Sequence, residues 1–191
     1  DRSGMQGDAA SRAVDVQFPA DGWVEQDPTA LWRSVRACVD ELVARHDPTR
    51  IAAIGITNQR ETVVAWDRVS GEPLAPAIVW QCRRTEPFCA QLRHDGHAER
   101  IRTLTGLVVD PYFSASKIRW LLDSVTGLAA RAEAGGVVFG TIDSWILFNL
   151  TLEAGAPVIA TEPSNASRTM LCSLRECDWH PELLARFNIK R

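Results

Sequence analysis

The run Ile51-Ala-Ala-Ile-Gly-Ile56, followed at once by Thr57-Asn-Gln-Arg-Glu-Thr62, constrains what the chain can fold into more than any other stretch. Its six apolar or small residues are too few for a typical helix and offer no polar face, so the run predicts a strand buried on both sides. Asn58, Gln59, Arg60 and Glu61 then fall at the strand's carboxyl end. In open α/β sheets that end is where ligands bind, because the strands there open into crevices between crossover connections.

At 191 residues the chain is long enough for one domain with a sizeable core, or one and a fraction. A formal charge of -3 provides no basic footprint for nucleic acid and no basic stripe for a membrane surface. No run reaches the roughly 18–20 apolar residues of a transmembrane helix, and the start does not resemble a signal peptide. The five cysteines are odd in number, scattered and without C-x-x-C spacing, so reduced thiols are expected rather than disulfides or a zinc site. A soluble, cytoplasmic protein with no nucleic-acid or membrane partner is the resulting expectation. The Asn-x-Ser/Thr matches at Asn149 and Asn165 then read as chance. Asp1 is not an initiator methionine, so the chain reads as processed, trimmed or a piece of a longer protein.

Residues 1–12 are polar and aperiodic and read as a loop or frayed end. Val14, Val16 and Phe18 alternate with Asp15 and Gln17, the period of a half-exposed strand. Asp27-Pro28 predicts a helix start, with the carboxylate as cap and proline at the first position, where its missing N–H costs nothing. Leu31, Val35, Val39, Leu42 and Val43 form its apolar face, and Asp47-Pro48 ends it. Val63–Trp66 and Ala77–Val79 predict two further strands joined by a turn around Ser70-Gly71. The second runs into another polar cluster, Trp80-Gln-Cys-Arg-Arg84.

Short helices broken at Gly96 and Gly106 follow, then a loop carrying Pro111 and the chain's one tyrosine, Tyr112, and a firmer helix through Ile118 and Leu121. Val137–Phe139 predicts a brief strand, and Ile142–Leu150 an apolar helix capped by Thr141. A tail around Leu183 and Leu184 closes the chain. Strands alternating with helices imply an α/β fold with a mixed sheet.

Arg60 and Glu61 pair a planar donor fork with an acceptor-only carboxylate, which suits a polyhydroxy compound because each hydroxyl both donates and accepts. Trp80, at the neighbouring strand end, would cover the C–H side of such a ligand, and Tyr112 would add a hydroxyl contact. Taken singly, these residues have plainer explanations: Arg-Glu pairs are commonly solvent-exposed and weak, and tryptophan commonly packs in a core. Arg83-Arg84 reads by default as a solvated helix face, with a phosphate-facing role as the alternative. The histidines lack metal-ligand spacing. Asp110 and Asp143 are weak candidates for a general base, Asp143 being explained by its place in a first helical turn. There is no Walker-type phosphate loop and no G-x-G-x-x-G after a strand.

Six blocks carry more than pattern: Gly22-Trp-Val-Glu-Gln-Asp-Pro28, Ile56-Thr-Asn-Gln-Arg-Glu-Thr62, Ile78-Val-Trp-Gln-Cys-Arg-Arg-Thr85, Thr105-Gly-Leu-Val-Val-Asp-Pro-Tyr-Phe-Ser114, Phe139-Gly-Thr-Ile-Asp-Ser-Trp145 and Asn165-Ala-Ser-Arg-Thr169. In order and spacing they resemble the FGGY carbohydrate kinase family, in its glycerol-phosphorylating branch. The resemblance implies an actin-like/ribonuclease-H-like fold. It also implies transfer of the ATP γ-phosphoryl group, with Mg2+, to a terminal hydroxyl of glycerol, giving sn-glycerol 3-phosphate. Arg60 and Glu61 match the family's pair on the glycerol hydroxyls, Trp80 its aromatic wall, and Tyr112 a further glycerol contact. Family members are often homo-oligomeric.

The same resemblance implies gaps. The family's phosphate-gripping strand-turn-strand has no full copy here, only an echo in Gln6-Gly7 and Ser11-Arg12-Ala13. Residues 1–12 are therefore expected to lie outside the family domain, and 13–191 to form its polyol-binding portion. The first two strands, the catalytic base and the nucleotide-binding C-terminal domain are expected to be missing. On that expectation no catalytic or metal-binding residue is assigned in this chain, and ATP and Mg2+ belong to a full-length parent. The chain alone would be inactive, with unpaired backbone and apolar surface exposed. The alternatives are a catalytically dead remnant serving as a polyol-binding or interaction module, and another FGGY sugar kinase.

Overall fold

The computed structural model describes residues 7–191. The first part of the loop expected over residues 1–12, and Gln6 of the phosphate-loop echo, lie outside the described residues, and residues 7–12 form no helix or strand. The elements run β1 (Glu25–Gln26), α1 (Pro28–Arg45), β2 (Val63–Asp67), β3 (Ala77–Ile78), α2 (Glu86–His94), α3 (Ala98–Thr105), α4 (Ser114–Ser124), α5 (Leu128–Glu133), β4 (Val137–Thr141), α6 (Ile142–Glu153), α7 (Pro163–Ala166), β5 (Cys172–Ser173), β6 (Asp178–Trp179) and α8 (Pro181–Arg186).

Four strands form the main sheet in the order β1-β3-β2-β4. Its centre is β2, whose residues Val63 to Trp66 are at most 1% exposed. The two-residue period of a strand sends Val63 and Ala65 to one face and Val64 and Trp66 to the other. On the first face they meet Ile78, Val137, Ile101 of α3, and Ile118 and Leu121 of α4. On the second, Trp66 packs against Trp145 and Phe148 of α6, with ring centroids 5.4 and 5.6 Å apart, and Leu31 of α1 joins them. Helices thus cover both faces of one sheet, the arrangement that lets a strand be apolar throughout. Burying each such aliphatic side chain contributes about 1.5–3 kcal/mol.

The local signals explain where elements begin and end. Asp27 Oδ1 accepts from Thr29 N at 2.8 Å, and Pro28 opens α1. Gly106 ends α3 with φ 72°, a left-handed conformation that a glycine adopts without steric penalty. Gly140 lies in the sheet for a packing reason: a Cβ there would sit 2.7 Å from the Trp66 ring and 2.9 Å from Ser144 Cβ.

Four expectations are corrected. Ile51–Ile56 forms no strand; it runs over the surface, with Ile51 49% and Ile54 68% exposed. A strand needs a neighbour to complete its backbone ladder, and among the described residues none lies beside this run. For the same reason the sheet is not mixed among the described residues: every pairing is antiparallel. The alternating Val14–Phe18 segment reduces to one bridge, Gln17 to Glu25, and leaves Phe18 73% exposed. Ile51, Ile54 and Phe18 thus stand as exposed apolar side chains. Arg84 does not sit on a solvated face. Its guanidinium carbon lies 3.9 Å from the Trp23 ring and 4.7 Å from the Trp120 ring, and Nη2 is 2.7 Å from the Glu25 carboxylate.

Candidate polyol site

The antiparallel register brings the two polar clusters together. Val63 pairs with Ile78, so the residues just before β2 lie beside those just after β3. Trp80 N donates to Thr62 Oγ1 at 3.2 Å across that junction. The polar end of the Ile51–Thr62 stretch is anchored even though its apolar half is not. Asn58 Nδ2 donates to Asn165 Oδ1 at 3.0 Å, and Gln59 bonds to Gln26.

Glu61 is the buried member of this group, 2% exposed. Its backbone has φ 65°, a left-handed conformation that costs a non-glycine residue about 1–3 kcal/mol and persists only where the surroundings enforce it. Two contacts do so. Ser114 Oγ, at the start of α4, donates to the Glu61 carbonyl at 3.2 Å. Arg168, just past α7, donates from Nε to Glu61 Oε1 at 2.6 Å. Oε2 receives no protein donor among the described residues, which leaves a carboxylate oxygen free to accept from an outside hydroxyl.

The aromatic wall forms from two loops. Trp80 and Tyr112 are half-buried, with ring centroids 5.4 Å apart at 58°. The Arg168 guanidinium lies 5.8 Å from the Tyr112 ring and 5.0 Å from that of Phe113, so one cation joins the carboxylate to the aromatic loop. Asp110 Oδ1 accepts from Tyr112 N at 2.8 Å and from Arg83 Nη1 at 2.9 Å. Asp110 therefore shapes the loop rather than standing ready as a base. Asp143 is likewise committed, accepting from Thr141 and, at 2.8 Å, from Thr161.

The structure thus gathers Glu61, Trp80 and Tyr112. Arg60 immediately precedes Glu61 in the chain but is exposed and makes no hydrogen bond or ion pair among those described. Its fork is free to turn toward a ligand. Two residues escaped sequence reasoning. Arg168 lies 107 positions from Glu61, and only its presence in the Asn165–Thr169 block hinted at a role. Lys117 is fully buried beneath the Tyr112 loop; a lone charge in the small-residue run Ser114-Ala-Ser-Lys-Ile118 was the available signal.

A cavity of about 370 Å³ lies elsewhere, along β4 and under the tail, lined by Val137, Phe139, Ile118, Leu122, Leu184 and Ile189 among others. None of the four polyol candidates lines it, and its walls are chiefly apolar, so we place the candidate site at Glu61, where polar groups converge. Among the described residues no group of three or more His, Cys, Asp or Glu is arranged to hold a metal ion. No described helix is long and apolar enough to cross a membrane. The five cysteines are free thiols, and burial pushes that of Cys89 up to about 11.

Known proteins give this geometry a context. The chain is 49% identical to a glycerol kinase of Stenotrophomonas maltophilia, over all of this chain and 38% of that protein. It is 52% identical to a glycerol kinase of Methylibium petroleiphilum, again over all of this chain and 38% of the relative. It therefore spans a little over a third of the length of these relatives. Among solved structures it resembles Plasmodium falciparum glycerol kinase with ADP, with a TM-score of 0.82 and 34% identity, over 92% of this chain and 35% of that one. The fold is α/β of the actin-like ATPase kind. The family model for the N-terminal domain of FGGY carbohydrate kinases matches residues 1–191. The chain belongs to the FGGY family of carbohydrate kinases and carries sequence of its N-terminal domain.

Proposed function

We propose that the chain is the polyol-binding portion of a cytoplasmic glycerol kinase, and that residues 13–191 hold glycerol for phosphorylation by ATP and Mg2+ bound elsewhere in a longer protein. The observation that carries this reading is the buried Glu61 carboxylate, held on one oxygen by Arg168 and open on the other, beside the Trp80–Tyr112 wall. Glu61 Oε2 accepts a proton-bearing hydroxyl, Arg60 donates to a second hydroxyl oxygen, and Tyr112 offers its phenol. Trp80 covers the carbon backbone, which excludes water from one side. This chain's own residues bind and orient; activation of the attacking hydroxyl and the grip on the phosphates fall to residues outside this set. The names of the relatives, glycerol kinase at about half identity, support glycerol over larger sugars.

The test is kinetic. In a protein of the relatives' length that contains this segment, Glu61→Ala should raise the glycerol KM at least tenfold or abolish turnover, because the substrate's hydroxyl loses its acceptor. Kinetics within twofold of the parent, with the ATP KM unchanged, would remove Glu61 from the site.

A further inference from the structure

We propose that Lys117 is a positioning residue of the polyol site: its buried ammonium gathers three successive backbone carbonyls and thereby fixes the loop that presents Tyr112. This rests on the polyol reading of the site given above. Lys117 lies in the first turns of α4 and is 0% exposed. Its Nζ donates to the carbonyls of Pro111 and Tyr112 at 2.6 Å each and of Phe113 at 3.1 Å. Three donors meet three acceptors, so an ammonium is fully satisfied there.

The placement is costly by every local rule. A cation near a helix N-terminus faces the positive end of the dipole, and a buried one loses its hydration. An apolar side chain of similar length would fill the space at no such cost. What only the ammonium supplies is the convergence of consecutive carbonyls, which curls the chain just ahead of α4 and turns the Tyr112 ring toward Trp80. Asp110 secures the same loop from its other end through Tyr112 N. The two bonds to residue 112, one on its N–H and one on its carbonyl, clamp the peptide units on either side of the ring.

The clamp is also sensitive to pH. Burial pushes Lys117 down to about 7, opposed by the carboxylates of Glu61 ahead of β2 and Asp110 in the loop; Cys82 after β3 and Cys89 on α2 also face it, and the Cys89 thiol, pushed up to about 11, carries no charge there. A neutral amine has two N–H donors for three carbonyls, so losing the proton frees one of them.

The experiment measures glycerol affinity of the chain by calorimetry between pH 6 and 9, and amide hydrogen exchange over residues 109–114, in the parent, Lys117→Met and Lys117→Arg. Expected is a parent affinity that falls several-fold as pH rises through about 7. Lys117→Met should bind at least tenfold more weakly with a flat profile and exchange at least tenfold faster over 109–114. Lys117→Arg, charged throughout, should recover part of the affinity without the pH step. Unchanged exchange and affinity in Lys117→Met would overturn the proposal. If the parent binds no glycerol, the polyol reading falls, and the exchange comparison decides the loop's anchor by itself. If Lys117→Met fails to fold by circular dichroism, Lys117→Arg decides: a pH step identical to the parent's overturns the proposal, and its loss supports it.

Discussion

Removing Arg168 should expose how far the candidate site is built on one ion pair. The Glu61 side chain is 3% exposed and that of Arg168 29%, with Nε and Oε1 2.6 Å apart. Breaking a fully buried pair by deleting one partner costs about 3–5 kcal/mol, because the survivor is left charged and unpaired. Arg168 stands about a third in water, which screens the pair and brings the expected cost of Arg168→Met to about 2–3 kcal/mol. Glu61→Gln, which leaves the partly solvated arginine behind, should cost about 1 kcal/mol. The double variant has no stranded carboxylate, so its cost should fall short of the sum by about 1–2 kcal/mol. Urea unfolding followed by circular dichroism measures all four corners of the cycle. With a slope of about 2–3 kcal/mol per molar, Arg168→Met alone should lower the midpoint by about 1 M. Additivity within about 0.5 kcal/mol would refute the claim that Arg168 holds Glu61.

Two further outcomes follow from local geometry. Gly140→Ala should destabilise the chain by about 1–3 kcal/mol, since its Cβ would press on the buried Trp66 ring at 2.7 Å and on Ser144 in the adjoining helix; a thermal unfolding midpoint equal to the parent's would contradict this packing. Glu162 caps α7, and hydrogen bonds from the Ser164 side chain and backbone and from Asn165 hold its carboxyl down to about 2. A depressed carboxyl stabilises fully above its unfolded value near 4.5 and loses that contribution as pH falls through about 2. Between pH 5 and 2 the parent's unfolding midpoint should therefore drop more steeply than that of Glu162→Gln, and parallel curves would show that the cap does not matter.

Much of the fold was readable because its signals are local. Asp27-Pro28 starts α1, Gly106 closes α3, and the short apolar run at Val63–Trp66 is β2. Ile51–Ile56 was misread for a physical reason: an apolar run reports that a segment can be buried, whereas a strand also requires a neighbour with free backbone groups. Of the candidate site, Trp80 was legible from its place after β3 and Tyr112 from the Pro111 loop; Glu61 was expected at the end of a strand that does not form and instead lies just ahead of β2, where the register against β3 brings it beside Trp80. Arg60 was legible too, yet it stays exposed beside them. Arg168 was hidden because its partner lies 107 residues away, and Lys117 because its acceptors are backbone carbonyls, which every residue has.

Titration of the chain with glycerol by isothermal calorimetry, alongside Glu61→Gln, bears most directly on the account. Saturable binding with a Kd of about 1–10 mM, a few kcal/mol of affinity from a handful of hydroxyl contacts, is expected for the parent. Glu61→Gln, folded by circular dichroism, should weaken it at least tenfold. Equal heats from the two proteins, or no saturation in the parent, would contradict a glycerol site at Glu61.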